Sequence, residues 1–439
     1  MYHEGKKKRE CICMKMPKAH PISWILLLVT TLAILATSVS RIILPTVLPA
    51  IMEEFHWSAT EVGFLNSAMF IGAFIGATFF GILSDSVGSG YKRGWTWICC
   101  MVVAAIGGIL TAMCTTVNAM RAALAVLGMG TGGAEPVNVA IIGEWWPKEH
   151  RGFAIGVHHT GFPFGQFLGP VVISFILAVG TWHDAFTFVP LLAIPIIILQ
   201  LIFGTEKNQK KVYKWIEDHQ MTKPLDEVEA EGKKPSLKEM VKNVGVCLQN
   251  RNCVMAIITI FIFLWSEAAI TTFMTLQLTT VAGISLAAAA VVSGASGLTG
   301  WIGQIGWGTV SDSTGRKFAL RIITAGWIVA TLACMFINTE MSAWMILIFW
   351  GLFRNSPFPV MYALLIDSLP KSAGSSMGLM IGIALGLSGF FAAPTAGWII
   401  ETYGFTAHYV VLAIMLALSY IPLTIIKETV HKDAEKAEA

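Results

Sequence analysis

Gly81-Ile82-Leu83-Ser84-Asp85-Ser86-Val87-Gly88 and Gly308-Thr309-Val310-Ser311-Asp312-Ser313-Thr314-Gly315 are two versions of one stretch. Five of the eight positions are identical, and a basic pair follows each copy, Lys92-Arg93 or Arg316-Lys317. Each copy stands where a long apolar run stops. A repeated acidic turn punctuated by glycine predicts the hinge between two membrane helices, and two copies predict two homologous halves.

Working outward from the two copies, the apolar runs fall at roughly 22–51, 61–83, 95–116, 119–144, 152–179 and 185–203. After a charged gap they resume at roughly 253–277, 284–309, 318–338, 342–366, 375–400 and 406–426. The fold predicted is all-α, with twelve membrane helices in two pseudo-symmetric six-helix bundles. The expected divisions are a tail over 1–21, bundles over 22–203 and 253–426, a linker over 204–252 and a second tail over 427–439. Pro224 and Pro235 interrupt the linker, leaving room for a short amphipathic helix around 236–246.

Composition excludes a soluble core. Apolar residues make up 55% of the chain and charged residues 13%, with a mean hydropathy of +0.67. That charged share is about half the globular norm of roughly 25%. The first apolar run is too long for a signal peptide and follows a basic tail, so it reads as a retained spanning helix. Eight scattered cysteines suggest no disulfide framework, and Cys11 and Cys13 have no metal-ligand partners nearby.

Basic residues orient the layout. With both termini in the cytoplasm, every Lys and Arg falls on that side except Arg41, Arg121 and Arg354, which lie inside apolar runs. The opposite loops carry Glu53, Glu54, Asp184 and Glu340 instead. This matches the positive-inside rule for a multi-pass protein of a cytoplasmic membrane. A second repeat supports the duplication: Pro136, Ala140, Glu144 and Pro147-Lys148 correspond to Pro359, Ala363, Asp367 and Pro370-Lys371 at the same spacing. Ser58 and Glu61 have capping-box form at the start of the second helix.

Charges inside the membrane locate the function. Each costs about 2.5–3.5 kcal/mol at mid-membrane on insertion scales, so it lines a cavity or holds a partner. Arg41, Arg121 and Arg354 stand against Glu135 and Glu267, a surplus of one positive charge that favours an anionic ligand. Arg41 and Arg354, with Asn355, are the candidate substrate contacts, since guanidinium suits a carboxylate. Arg121, near a helix end, suits a gate better than a binding role. Glu267 and Glu135 are the candidate proton carriers, the rival role for Glu267 being a permanent salt bridge. The repeat spacing sets Glu267 level with Ser40 and Arg41, so the two are expected to face each other. His158 and His159 are candidate anion donors or proton relays, with packing as the alternative, and their spacing suits no metal site. No P-loop, nucleophile or cofactor signature is present, so neither an enzyme, a cofactor nor a nucleic-acid partner is expected.

The paired Gly-x-x-Ser-Asp-x-x-Gly stretches with their basic pairs closely resemble the major facilitator superfamily over essentially the whole chain. The resemblance implies a central cavity, alternating access, and gate residues at Asp85, Arg93, Asp312 and Arg316. Arg41 with Leu44, Glu53-Glu54-Phe55, Glu61-Val62-Gly63 and Trp145-Trp146-Pro147 with Arg151 resemble the anion:cation symporter branch. There the residue corresponding to Arg41 faces the substrate carboxylate. Ser40 and Thr131 stand where that branch has acids, so its proton-coupling residues do not carry over. The expectation is a monomeric transporter in the lipid bilayer moving a small organic anion by symport with protons or Na+. A drug-extruding antiporter and a transporter-like sensor are the alternatives; the positive surplus speaks against the first.

Overall fold

The computed structural model describes residues 17–224, 245–369 and 373–430. Cys11, Cys13, Pro370-Lys371 and all but the last two residues of the helix expected over 236–246 lie outside them, as does the side chain of Asp85.

Among the described residues, twelve long apolar helices, some of them broken in the middle, follow one another in two sets of six. The first set is α1 (Pro21–Phe55), α2 (Ala59–Val87), α3 (Arg93–Ala112), α4 (Val117–Trp145), α5 (Arg151–His159 continued by Gly161–Val179) and α6 (Trp182–Phe188, then Ala193–Phe203). The second is α7 (Arg251–Thr280), α8 (Leu286–Ser293, then Ser296–Thr314), α9 (Arg316–Ala333) and α10 (Glu340–Arg354, then Pro357–Ser368), followed by Ala373–Leu418. That last stretch is two helices. Gly404 interrupts it at φ 80°, which separates α11 (373–403) from α12 (405–418, prolonged by Tyr420–Ile425). The boundaries match the apolar runs to within a few residues.

Local chemistry sets the ends. Pro21 opens α1, where its missing N–H costs nothing, and the His20 ring accepts from the Ile22 N–H at 3.1 Å. The capping box at α2 forms as expected, with Glu61 N–H on Ser58 Oγ at 3.2 Å and Ser58 N–H on Glu61 Oε2 at 2.9 Å. The repeated motif is a helix end more than a loop. Its residues stay helical to Val87 and Thr314, and its last glycine stops each helix, Gly88 at φ 120° and Gly315 at φ 98°. Only glycine takes such angles without strain.

Small residues bring helices together inside each half. A Cβ on Gly72 of α2 would lie 1.9 Å from the Ala125 carbonyl oxygen of α4, and one on Gly128 of α4 would lie 2.0 Å from that of Met69. Backbones this close are the membrane substitute for a hydrophobic driving force.

The linker departs from expectation. Its first part is an amphipathic helix, Glu206–Asp218, started by a Thr205 cap that accepts from Asn208 N–H at 3.4 Å. Val212 and Ile216 are buried beneath it, Tyr213 donates to the Glu144 carbonyl at 3.0 Å, and Gln209 accepts from Tyr91 N–H at 3.1 Å. It therefore docks on the basic face of the first half, beside the repeated motif.

Candidate functional site

A cavity of about 150 Å³ lies between the halves, lined from α1, α2 and α5 on one side and α7, α8, α10 and α11 on the other. Arg41, Glu267 and Arg354 all line it.

Proline shapes the wall that carries Arg41. Pro45 and Pro49 lie inside α1 and lack the N–H groups that would bond the carbonyls of Arg41 and Pro45, so the helix is opened at cavity level. The Arg41 guanidinium reaches α4, donating to the Thr131 carbonyl at 3.0 Å, with Glu135 at 3.7 Å. Its Nε is buried without a partner among the described residues, as is the Thr46 hydroxyl five residues on. Glu135 immediately precedes Pro136, a second helix-loosening proline.

The facing wall is more tightly paired. Arg354, 7% exposed, donates from Nε to Glu267 at 2.8 Å and from Nη1 to Ser296 Oγ at 2.8 Å. Its guanidinium also lies 4.9 Å from the centre of the Trp350 ring. Arg354 ends the first segment of α10; Asn355 and Ser356 interrupt the helix before Pro357 restarts it. Glu267 and Arg41 thus share the cavity from opposite walls, each paired within its own half.

Gln166 and Asn66 join the walls, Asn66 through Thr272 at 3.0 Å. Gln166 of α5 donates to Glu267 Oε1 at 3.5 Å and accepts from Asn355 at 3.3 Å. Being neutral, Gln166 is not marked out by buried charge; its signal in the sequence is an amide inside an apolar helix. His158 and His159 are not brought to the cavity. His158 is fully buried and His159 exposed, their rings 5.3 Å apart. Arg121 stands away from it too, with Asn118 at 3.2 Å and the Phe64 ring at 5.5 Å.

The motif residues form matching clusters at the basic face. Arg93 donates to Ser84 Oγ at 2.9 Å and to Glu144 at 2.8 Å. Arg316 donates to Ser311 Oγ at 2.7 Å and to Asp367 at 3.4 Å, and also pairs with Asp312. Serine, arginine and acid are thus repeated in both halves, the acids being those of the second sequence repeat. In the second half Glu428 adds a cap, accepting the N–H groups of Arg316 and Lys317, each at 2.9 Å. Burial raises its pKa, but these bonds and those from Thr429 and Val430 outweigh it and hold the carboxyl below the usual value.

Hydrogen bonds between described residues of the two halves lie at the cavity or on the side away from the basic face. They join Asn66 to Thr272 at 3.0 Å, Ser67 to the Phe390 carbonyl at 2.6 Å and Ser174 to the Ala287 carbonyl at 2.8 Å. Outermost, Thr60 bonds Glu401 through its N–H at 3.3 Å and through its hydroxyl. A Cβ on Gly397 would meet the Ala59 carbonyl at 2.4 Å, so α2 and α11 are in backbone contact there.

Known proteins are similar to this chain in sequence or in fold. A benzoate transport protein of Acinetobacter baylyi is 24% identical over 183 residues, which is 42% of this chain and 39% of that protein. The hexuronate transporter of Escherichia coli K12 is 20% identical over 409 residues, covering 91% and 92% of the two chains. A bacterial homologue of the human lysosomal transporter Spinster, solved in an inward-facing, unoccupied conformation, superposes with a TM-score of 0.68 at 15% identity over 93% of this chain and 98% of its own. The family model for the Major Facilitator Superfamily matches residues 27–393 and 256–439, and the chain belongs to that superfamily of membrane transporters.

Proposed function

We propose that the protein carries a small organic anion, a carboxylate, across a cytoplasmic membrane in symport with a proton, both termini lying inside. The observation that carries this reading is Arg41, a cavity-lining guanidinium whose buried Nε has no partner. A buried donor left unmade costs about 1–3 kcal/mol, which a bound carboxylate would recover. That the relatives above are named for a hexuronate and a benzoate supports the same class of cargo.

Coupling is assigned to Glu267 and its partner. While Glu267 is ionised it holds Arg354 at 2.8 Å. Protonation weakens that pair, and Gln166, which touches Glu267 and Asn355 from the other half, relays the change to the contact between bundles. Glu135, 3.7 Å from Arg41, is the second candidate carrier. Rocking of the bundles then exchanges the contacts between α2 and α11 for contacts at the clusters of Asp85, Arg93, Asp312 and Arg316.

Uptake of labelled carboxylates into proteoliposomes tests this. Arg41→Ala should reduce uptake about tenfold to a hundredfold, the loss of one hydrogen bond to a charged group, while the protein still purifies as a folded species. Unchanged uptake by that variant would remove the reading.

A further inference from the structure

The cavity also restricts what the anion looks like, an inference that rests on the organic-anion reading. We infer that the substrate is a monocarboxylate with one ring-sized apolar body, aromatic or branched, and not a polyhydroxylated acid or a dicarboxylate.

Charge sets the count of carboxylates. Arg354 is already neutralised by Glu267 at 2.8 Å and gives Nη1 to Ser296. Arg41 has its acid only at 3.7 Å, beyond hydrogen-bonding distance, and keeps Nε unpartnered. One guanidinium is therefore available. A second carboxylate would have to displace Glu267, leaving that half-buried acid without its guanidinium.

The hydroxyls argue against a sugar-like body. Ser38 donates to the Phe162 carbonyl at 3.2 Å, Thr271 to that of Glu267 at 2.7 Å and Thr272 to that of Ala268 at 2.6 Å. Ser293 and Ser388 likewise donate to the carbonyls of Ala290 and Leu385. The amides are engaged as well, Asn66 with Thr272 and Gln166 with Glu267 and Asn355. A ligand with many hydroxyls would lose water and find these donors already committed, a cost borne for each hydroxyl left unmatched.

Beyond these groups, Arg41, Thr46 and Thr275, the lining is apolar: Ile42, Met69, Phe70, Phe162, Leu264 and Trp350 all contribute. The volume, about 150 Å³, matches that of an engineered apolar cavity which binds benzene. The carboxylate then lies toward Arg41 and Thr46, both on α1, and the ring between the apolar side chains of the two halves.

The experiment compares benzoate and isovalerate with glucuronate and succinate, by competition for uptake into proteoliposomes and by thermal stabilisation of the purified full-length protein. The apolar monocarboxylates should bind tighter by about tenfold to a hundredfold, the worth of burying one side-chain-sized apolar group. Phe70→Ser should narrow that gap by weakening benzoate and isovalerate more than glucuronate. Glucuronate or succinate binding as well as benzoate, in protein whose binding is still lost in Arg41→Ala, would overturn the inference and leave the anion reading standing. Failure of all four acids to bind would overturn both.

Discussion

Gln166 is one of the residues that bond the two halves together at the cavity. Its amide accepts from Asn355 and donates to Glu267, so any rocking that parts α5 from α7 and α10 must break both bonds. Gln166→Leu keeps the volume and removes both. It should loosen the link between proton and substrate, giving uptake that no longer follows an imposed pH gradient although substrate still binds. Gradient-driven uptake at the wild-type rate in that variant would show that Gln166 is packing only. Charged residues were legible in the sequence because burial of charge is rare; Arg41, Arg354 and Glu267 were found that way. Which of them pair was not legible, because pairing depends on helix rotation, and apolar composition leaves rotation undetermined.

The contact between α2 and α4 depends on glycine. Gly72→Leu would press a side chain into the Ala125 carbonyl, which is backbone and cannot swing aside. A loss of about 1–3 kcal/mol is expected from overpacking alone, read as a lower melting temperature in detergent with no change in Kd for substrate among the molecules still folded. Gly156 has open space around it, and Gly156→Ala should leave the melting temperature unmoved. The twelve helices could be read from hydropathy because bilayer thickness dictates their length. The docking of Glu206–Asp218 was not, since a short helix rich in lysine looks like solvated linker until its buried face of Val212 and Ile216 meets the bundle.

In the molecule as a whole, one side is closed. Glu401 holds the first turn of α2 through Thr60, where a carboxylate is also favoured by the helix dipole. Glu401→Ala should remove about 1.5–3 kcal/mol from the closed state, the range for hydrogen bonds to a charged group, and raise the population open on that face. Labelling of Thr275→Cys, in a background without other cysteines, by a thiol reagent that does not cross the bilayer measures it. An unchanged labelling rate would mean that the apolar contact of α2 with α11 holds the closure alone. The duplication was visible in the sequence at this scale, and the structure repeats it in three dimensions, with Ser84, Arg93 and Glu144 matched by Ser311, Arg316 and Asp367.

Glu428 takes the N–H groups of Arg316 and Lys317, and Lys317 in turn donates to the carbonyls of Thr424 and Ile426 at 2.7 and 2.9 Å. Because its pKa is held down in the folded protein, this contribution is complete above the ordinary carboxylate range and fades as pH falls through the lowered value. Glu428→Gln should therefore be less stable than wild type at neutral pH and lose less on acidification. The practical corollary concerns handling. A fluorescent reporter or affinity tag spliced in directly after Ile426 would discard this clasp and unsettle α9, whereas one fused after Ala439 keeps it.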